Sequence, residues 1–225
     1  MVKWTEDFAK EYEVPLIEKE YIIKPAVLKV MSSVKGKKIA DLGCGSGYFS
    51  RILAKKGARV FGIDKNENQL KIASQMDMKN IRYMKRDITN TRLKPNYFDI
   101  VLINFVLVEI SSPKTVSKII KEAHRILKKN GMMVIGEVHP HCVEGRSKID
   151  EMYIIDGNYF DNGAKMKGTA TRIDGKKITF CPVYHYTLEF YVNAIAENGF
   201  TIKKLLEPEW KESFPVSIVI AANKV

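Results

Sequence analysis

Ile39-Ala40-Asp41-Leu42-Gly43-Cys44-Gly45-Ser46-Gly47-Tyr48-Phe49 decides how this chain folds. A hydrophobic strand runs into an acidic residue, three glycines alternate with small residues, and a helix-competent run, Tyr48 to Lys56, follows at once. Glycine alone has no Cβ penalty at unusual backbone angles and lets a ligand come close to the main chain. A helix starting here aims its positive end at whatever lies above the loop. The stretch therefore reads as the ligand-binding turn of an α/β unit.

Spacing narrows the ligand. Dinucleotide loops read G-x-G-x-x-G and seat a pyrophosphate on the helix N-terminus. Here the pattern is G-x-G-x-G, with Tyr48 where the last glycine of the dinucleotide pattern would stand. There is no G-K-[ST], and no basic residue between Asp41 and Ser50, which suits a cofactor without phosphates. The next strand, Arg59–Ile63, ends at Asp64, seventeen residues beyond Gly47. An acidic residue at that place accepts hydrogen bonds from ribose hydroxyls.

Outward from this unit, strands and helices alternate from Lys37 on: strands Lys38–Leu42, Arg59–Asp64, Ile81–Met84, Tyr97–Asn104 and Met132–Val138, with helices Tyr48–Lys56 and Asn66–Met76 between them. Ser112 and Pro113 open another helix whose stripe is Val116, Ile119, Ile120, Ala123, Ile126 and Leu127, and Gly131 is expected to end it. Thr187 caps a last helix, and Phe200–Leu206 and Ser217–Asn223 complete a seven-stranded set. The pattern predicts a doubly wound α/β fold with a mostly parallel sheet covered by helices on both faces. Residues 1–35 precede it as a helical cap, with Trp4, Phe8 and Tyr12 on one face and a second helix from about Pro25. Residues 36–225 are the main domain, interrupted at about 141–184 by a Gly- and Tyr-rich insertion. Gly168–Ile173 and Lys177–Val183 flank Asp174-Gly175 in it, which predicts a β-hairpin lid over the carboxyl ends of the strands, the ligand edge of open α/β sheets.

Composition sets bounds. The chain has 225 residues and a formal net charge of +11. Its lysines fall in scattered pairs such as Lys37-Lys38 and Lys128-Lys129, with no arginine-rich tract. Nucleic-acid binding therefore remains an alternative and is not the favoured reading. Three cysteines without a C-x-x-C pair, a polar first twenty residues and no apolar run long enough to span a bilayer lead to the expectation of a cytoplasmic protein free of membrane. His139-Pro140-His141-Cys142 with Glu137 offers metal-ligand types, but adjacent ligands seldom close a tetrahedral site, so no metal is expected.

Asp41-Leu42-Gly43-Cys44-Gly45-Ser46-Gly47 together with Asp64 resembles the class I S-adenosylmethionine-dependent methyltransferases, of the small-molecule type. The resemblance covers residues 36–140 and, more weakly, 185–206, where Tyr184-His185-Tyr186-Thr187-Leu188 is similar to a recurring segment of small-molecule enzymes. It implies S-adenosylmethionine as cofactor, a last strand inserted antiparallel, Asp41, Gly43, Gly45 and Gly47 near the methionine end, and Asp64 on the ribose. It also implies Asp87 and Ile88 at the adenine, and Asn104 and Phe105 where cofactor and acceptor meet. Methyl transfer needs alignment more than acid or base, so the absence of a nucleophile is no objection. If the acceptor loses a proton, His139 and His185 are the candidate bases or substrate contacts, with Tyr12, His141 and Tyr184 as further substrate contacts and Glu109 and Glu137 behind them. The expected activity is methyl transfer to an O or N atom of a small molecule, by a monomer or homodimer. The alternatives are an RNA or protein methyltransferase of the same fold and a nicotinamide-dependent oxidoreductase or non-catalytic nucleotide-binding module, which the loop spacing disfavours.

Overall fold

Strands that are apolar on both faces can be stable only between two layers of helix, and the computed structural model builds that sandwich. It describes residues 4–76, 78–144, 150–211 and 214–225. The strands are β1 (Lys38–Leu42), β2 (Arg59–Asp64), β3 (Ile81–Lys85), β4 (Phe98–Asn104), β5 (Leu127–Val138), β6 (Asp150–Asp156), β7 (Lys165–Thr171), β8 (Lys177–Tyr184), β9 (Phe200–Leu206) and β10 (Ser217–Lys224). The helices are α1 (Glu6–Glu11), α2 (Lys24–Met31), α3 (Tyr48–Lys55), α4 (Glu67–Ala73), α5 (Pro113–Ile126) and α6 (Leu188–Glu197).

The large sheet has the order β3-β2-β1-β4-β5-β10-β9. β3 through β5 run parallel, and β10 is antiparallel to both neighbours, as the resemblance implied. Alternate side chains divide between two cores. Ala40, Leu42, Val101, Ile103 and Ile220 pack with α5 and α6, while Ile39, Val60, Leu102 and Val219 pack with α2 and α3. The chain reverses its order between β1 and β4, so their loops leave a crevice at the carboxyl edge.

Two boundaries differ from expectation. Helix α5 keeps its Ser112 cap and every residue of its stripe buried through Ile126, but it stops at Ile126 and Leu127 already pairs with Phe98 in the sheet. The next pairing is Ile100 with Met132, so residues 128–131 bulge out, and the left-handed residue there is Asn130 (φ 61°) instead of Gly131. The second N-terminal helix starts before Pro25, as a π-helical turn over Glu18–Ile23 that runs into α2. Proline lacks the N–H that an α-helical turn would use, and a wider turn before it accommodates that loss.

The insertion holds one strand more than the sequence pattern suggested. β7 and β8 form the expected hairpin about Asp174-Gly175, with Gly175 at φ 82°, and β6 adds to give an antiparallel sheet in the order β6-β7-β8. Ile173, expected in the strand, belongs to the turn, where its N–H donates to the Pro15 carbonyl at 2.9 Å. This ties the hairpin to the N-terminal segment. Met152, Met166 and Val183 of the small sheet bury themselves against Val108, with Trp4 and Phe8 of the N-terminal region packed alongside. Among the described residues no helix is long and apolar enough to cross a membrane.

Candidate active site

The loop after β1 is held by its own surroundings. Gly43, Gly45 and Gly47 all have positive φ, at 71°, 52° and 80°. The Gly43 and Cys44 N–H groups donate to the Ile63 carbonyl at 2.7 and 3.1 Å, Gly47 donates to Cys44, and Gly45 donates to Asp64 Oδ2 at 2.9 Å. What the loop offers a ligand at Gly45 is room more than an N–H group. A Cβ on Gly45 would meet nothing nearer than Gln69 Oε1 at 3.6 Å, across the cavity floor. A Cβ on Gly43 would come within 2.5 Å of Val106, so that glycine serves packing as well.

A cavity of about 320 Å³ opens above this loop. Asp41, Gly43, Gly45, Asp64, Asp87, Ile88, Asn104, Phe105 and Tyr12 all line it, so the structure brings together nine of the residues singled out in the sequence. Gly47 does not line it; the side on which a Cβ would stand is closed by the Tyr83 hydroxyl. Asp64 sits at the end of β2 as a clamp: Oδ2 holds Gly45 and Oδ1 takes the Asn66 N–H at 2.8 Å. Asp87 Oδ1 accepts from the Thr89 N–H and hydroxyl, both at 2.7 Å, and the backbone bond is the main cause holding its carboxyl below the usual range.

Buried polar atoms without partners mark where a ligand would fit. Both amide atoms of Asn104 and both of Gln69 are buried, unpaired and part of the cavity wall. A native interior seldom leaves such groups unmatched, because each costs on the order of 1–3 kcal/mol. Asp41 is buried, accepts the Ser50 hydroxyl at 2.6 Å, and is pushed up to about 6 by burial. Lys19, which no sequence pattern singled out, lies across from it. Burial lowers its ammonium to about 8 against the attraction of Asp41 and Glu109, and it stands 4.5 Å over the Tyr12 ring. An ammonium and a carboxyl facing each other beside a glycine loop can hold an amino-acid moiety by both of its charged ends. An adenosine carrying such a moiety, with no phosphate, matches these features and this loop.

Phe105 has φ 52°, a left-handed angle unusual for an aromatic residue, and donates its N–H to the Gly136 carbonyl at 2.8 Å. The turn beyond it is held by Glu137, whose Oε1 accepts the Val106 and Leu107 N–H groups at 2.9 and 2.7 Å. Burial lifts the Glu137 carboxyl to about 8. Glu109 follows on the same turn. Its Oε2 takes the Trp4 indole N–H at 2.9 Å, and burial raises it to about 7.

The histidines lie elsewhere. None of His139, His141 and His185 lines this cavity, and neither does Tyr184. His185 Nε2 donates to the Tyr159 carbonyl at 2.7 Å. His139 Nδ1 accepts the His141 N–H, which leaves Nε2 to donate to Glu207 at 2.8 Å. Burial lowers the pKa of both His139 and His185, so both stay neutral, with their ring N–H groups committed to the fold. His141 packs its ring against Phe214 and His139. Among the described residues no three His, Cys, Asp or Glu side chains converge as metal ligands.

Sequence reasoning passed over Lys19 and Gln69. Lys19 stands in Glu18-Lys19-Glu20, which reads as a solvated charge run, and Gln69 is one polar residue in an otherwise ordinary helix. Trp4 reads in the sequence only as part of an amphipathic face.

Comparison with known proteins agrees with this geometry. Residues 40–135 match a methyltransferase domain family. A ubiquinone biosynthesis O-methyltransferase of Coxiella burnetii is 30% identical over 125 residues, which is 53% of this chain and 52% of that enzyme. The matched stretch thus spans about half the length of that relative. A crystal structure from Listeria monocytogenes, assigned as an S-adenosylmethionine-dependent methyltransferase, is 25% identical with a TM-score of 0.69, covering 90% of this chain and 96% of that one. Magnesium protoporphyrin IX methyltransferase from Synechocystis PCC 6803, solved with SAH bound, shares the fold at 18% identity and a TM-score of 0.61, covering 90% of this chain and 81% of its own. Over residues 40–135 the chain carries a methyltransferase domain, and its fold is that of the class I S-adenosylmethionine-dependent methyltransferases.

Proposed function

We propose that this methyltransferase acts on an O or N atom of a small-molecule acceptor. The observation that carries the reading is the roof over the reaction edge. Trp4 packs 5.1 Å from Phe8 and 5.0 Å from Tyr12, and Phe180 of β8 closes on Phe8 and Tyr12 at 5.8 Å each. An aromatic lid of this kind encloses a mostly apolar chamber with a few polar anchors, the usual form of a small-ligand site. A polynucleotide would need an open basic groove leading to the methyl donor. The likeness to a ubiquinone biosynthesis O-methyltransferase favours the same side. In this reading residues 1–35 act as a cap and the insertion at about 141–184 as a lid on a methyltransferase domain of residues 36–225. The reading carries a cytoplasmic location and a monomer or homodimer with it.

The cofactor, when bound, supplies an electrophilic sulfonium methyl. Asp64 would take the ribose hydroxyls while holding Gly45, and Asp87 and Ile88 would frame the adenine. Lys19 and Asp41 would fix the carboxylate and ammonium of the methionine end, with Asn104 and Gln69 finding partners as the cavity fills. Phe105 separates this cavity from the roofed space beyond. The chain's contribution is orientation and exclusion of water, and alignment can supply roughly 7–11 kcal/mol of a barrier. The test is incubation with radiolabelled S-adenosylmethionine and either bulk unmodified RNA or a pool of small metabolites. Label is expected in the metabolites. Stoichiometric label in the RNA would replace this reading with the nucleic-acid one.

A further inference from the structure

The net charge of +11 is unevenly placed. β1 and β2 begin on the cations Lys38 and Arg59, which pair in register, and run toward the carboxylates Asp41 and Asp64. The cofactor cavity lies at the carboxyl ends, with those carboxylates in its wall. The amino ends form a basic edge, and hydrogen bonds trace it as one continuous surface. Asn80, next to Lys79, donates its side-chain amide to the Ala54 and Ala58 carbonyls at 2.8 Å each. The Arg59 N–H donates to the Lys37 carbonyl and the Gly36 N–H to the Gly57 carbonyl, both at 2.8 Å. Asp99 accepts the Lys38 N–H at 2.8 Å and pairs with Lys128. Lys35, Lys55, Lys56, Arg59, Lys79 and Lys129 are exposed along this edge, and among the described residues none of the six has an ion-pair partner. The edge crosses β3-β2-β1-β4-β5, a width of about 19 Å at the usual strand spacing.

Unpaired cations gathered on one face repel each other and attract a polyanion. Lysines on turns act as point charges, which suits contact with phosphates and not the reading of base edges. A face that beds into a bilayer carries aromatic anchors beside its lysines. Here the exposed aromatic residues, Tyr21, Tyr153 and Phe160, belong to the cap and the insertion instead. We propose that the basic edge binds the phosphodiester backbone of a duplex nucleic acid, without reading its sequence, and holds it away from the methyl donor. From Arg59 to Asp64 the strand rises by roughly 17 Å, so a duplex seated on this edge lies beyond reach of a methyl group in the cavity. The inference stands apart from the small-molecule reading. It gives the positive charge a partner without making that partner the methyl acceptor.

Fluorescence anisotropy with labelled DNA and RNA duplexes of about 20 base pairs, in two unrelated sequences each, tests this on the full chain. All four duplexes should bind within about fivefold of one another. Affinity should fall by about 100-fold from about 50 to about 200 mM salt, as contact with about four phosphates requires. One variant combines Lys55→Gln, Lys56→Gln, Arg59→Gln and Lys129→Gln on the basic edge. A second, of equal net charge, combines Lys165→Gln, Lys167→Gln, Lys176→Gln and Lys203→Gln, which are exposed on the insertion and β9. The first should lose about tenfold or more at low salt and show a flatter salt dependence, while the second stays within about threefold of the wild type. S-adenosylhomocysteine affinity within about twofold of the wild type verifies folding in both. Equal losses in the two variants would mean that net charge alone attracts the duplex, and would overturn the inference while leaving the small-molecule reading standing. So would tighter binding to phosphatidylcholine vesicles with about one-third phosphatidylserine than to any duplex, which would make the edge a membrane surface. Methyl label entering the bound RNA duplex would overturn both readings.

Discussion

The floor and the roof of the site are built in opposite ways. In the floor, the acidic groups are tied to residues close to them in the chain or on the next strand: Asp64 holds Gly45 and Asn66, and Asp87 holds Thr89. In the roof, contacts join distant parts of the sequence. Trp4 reaches Glu109, Ile173 reaches Pro15, and Ser217 reaches Glu18. In the proposed function the same line divides donor binding below from acceptor choice above.

The largest expected effect breaks the floor alone. Gly45→Ala places a methyl in the cavity with no protein atom nearer than 3.6 Å, so the fold should survive apart from about 1 kcal/mol for its positive φ. S-adenosylhomocysteine binding should fall by about 10- to 100-fold, the equivalent of roughly 1–3 kcal/mol of overpacking against the ligand. Gly43→Ala would instead press on Val106 and should appear chiefly as a lowered unfolding temperature. Titration calorimetry and thermal unfolding of the two variants, side by side, check the distinction. Equal binding loss with equal stability loss would erase it.

A smaller effect sharpens the comparison at the joint between floor and roof, where Glu137 holds the turn that carries Glu109. The folded carboxyl, raised from 4.5 to about 8 by burial, keeps a proton that the unfolded chain releases. Its contribution to stability is thus complete below about pH 4.5 and lost as pH rises through about 8. Glu137→Gln cannot titrate, and its amide oxygen can still accept from Val106 and Leu107. The variant should gain on the wild type in unfolding temperature by on the order of 5 °C between pH 5 and pH 9. A constant difference across that range would mean that Glu137 is ionised in the folded protein.

The floor could be read from the sequence because its signals are local. The alternation of glycines, the acidic end of β2 and the Ser112-Pro113 cap each act within a few residues, and each stands where the pattern placed it. Where the reading went astray, distant contacts decided. His139 and His185 follow or precede elements at the correct edge of the sheet, but Glu207 and the Tyr159 carbonyl draw them away from the cavity. Lys19 becomes a cavity residue only because the helix that carries it folds back over the glycine loop. β6 begins and ends in acidic residues, and its Met152 and Ile154 face a core contributed by other segments. Nothing within seven residues could have announced that.

The most direct measurement of the division is S-adenosylhomocysteine affinity by titration calorimetry in three proteins: the wild type, Asp64→Asn and Ala170→Phe. The first should bind one equivalent. Asp64→Asn keeps the size of the side chain but leaves a single acceptor oxygen for the Gly45 and Asn66 N–H groups and the ribose, and should lose at least about tenfold, as expected when charge-assisted hydrogen bonds worth roughly 1.5–3 kcal/mol are removed. Ala170→Phe alters only the roof and should bind as the wild type does. If Asp64→Asn bound S-adenosylhomocysteine as tightly as the wild type, or if Ala170→Phe lost as much affinity as Asp64→Asn, donor and acceptor would not occupy the separate chambers described above.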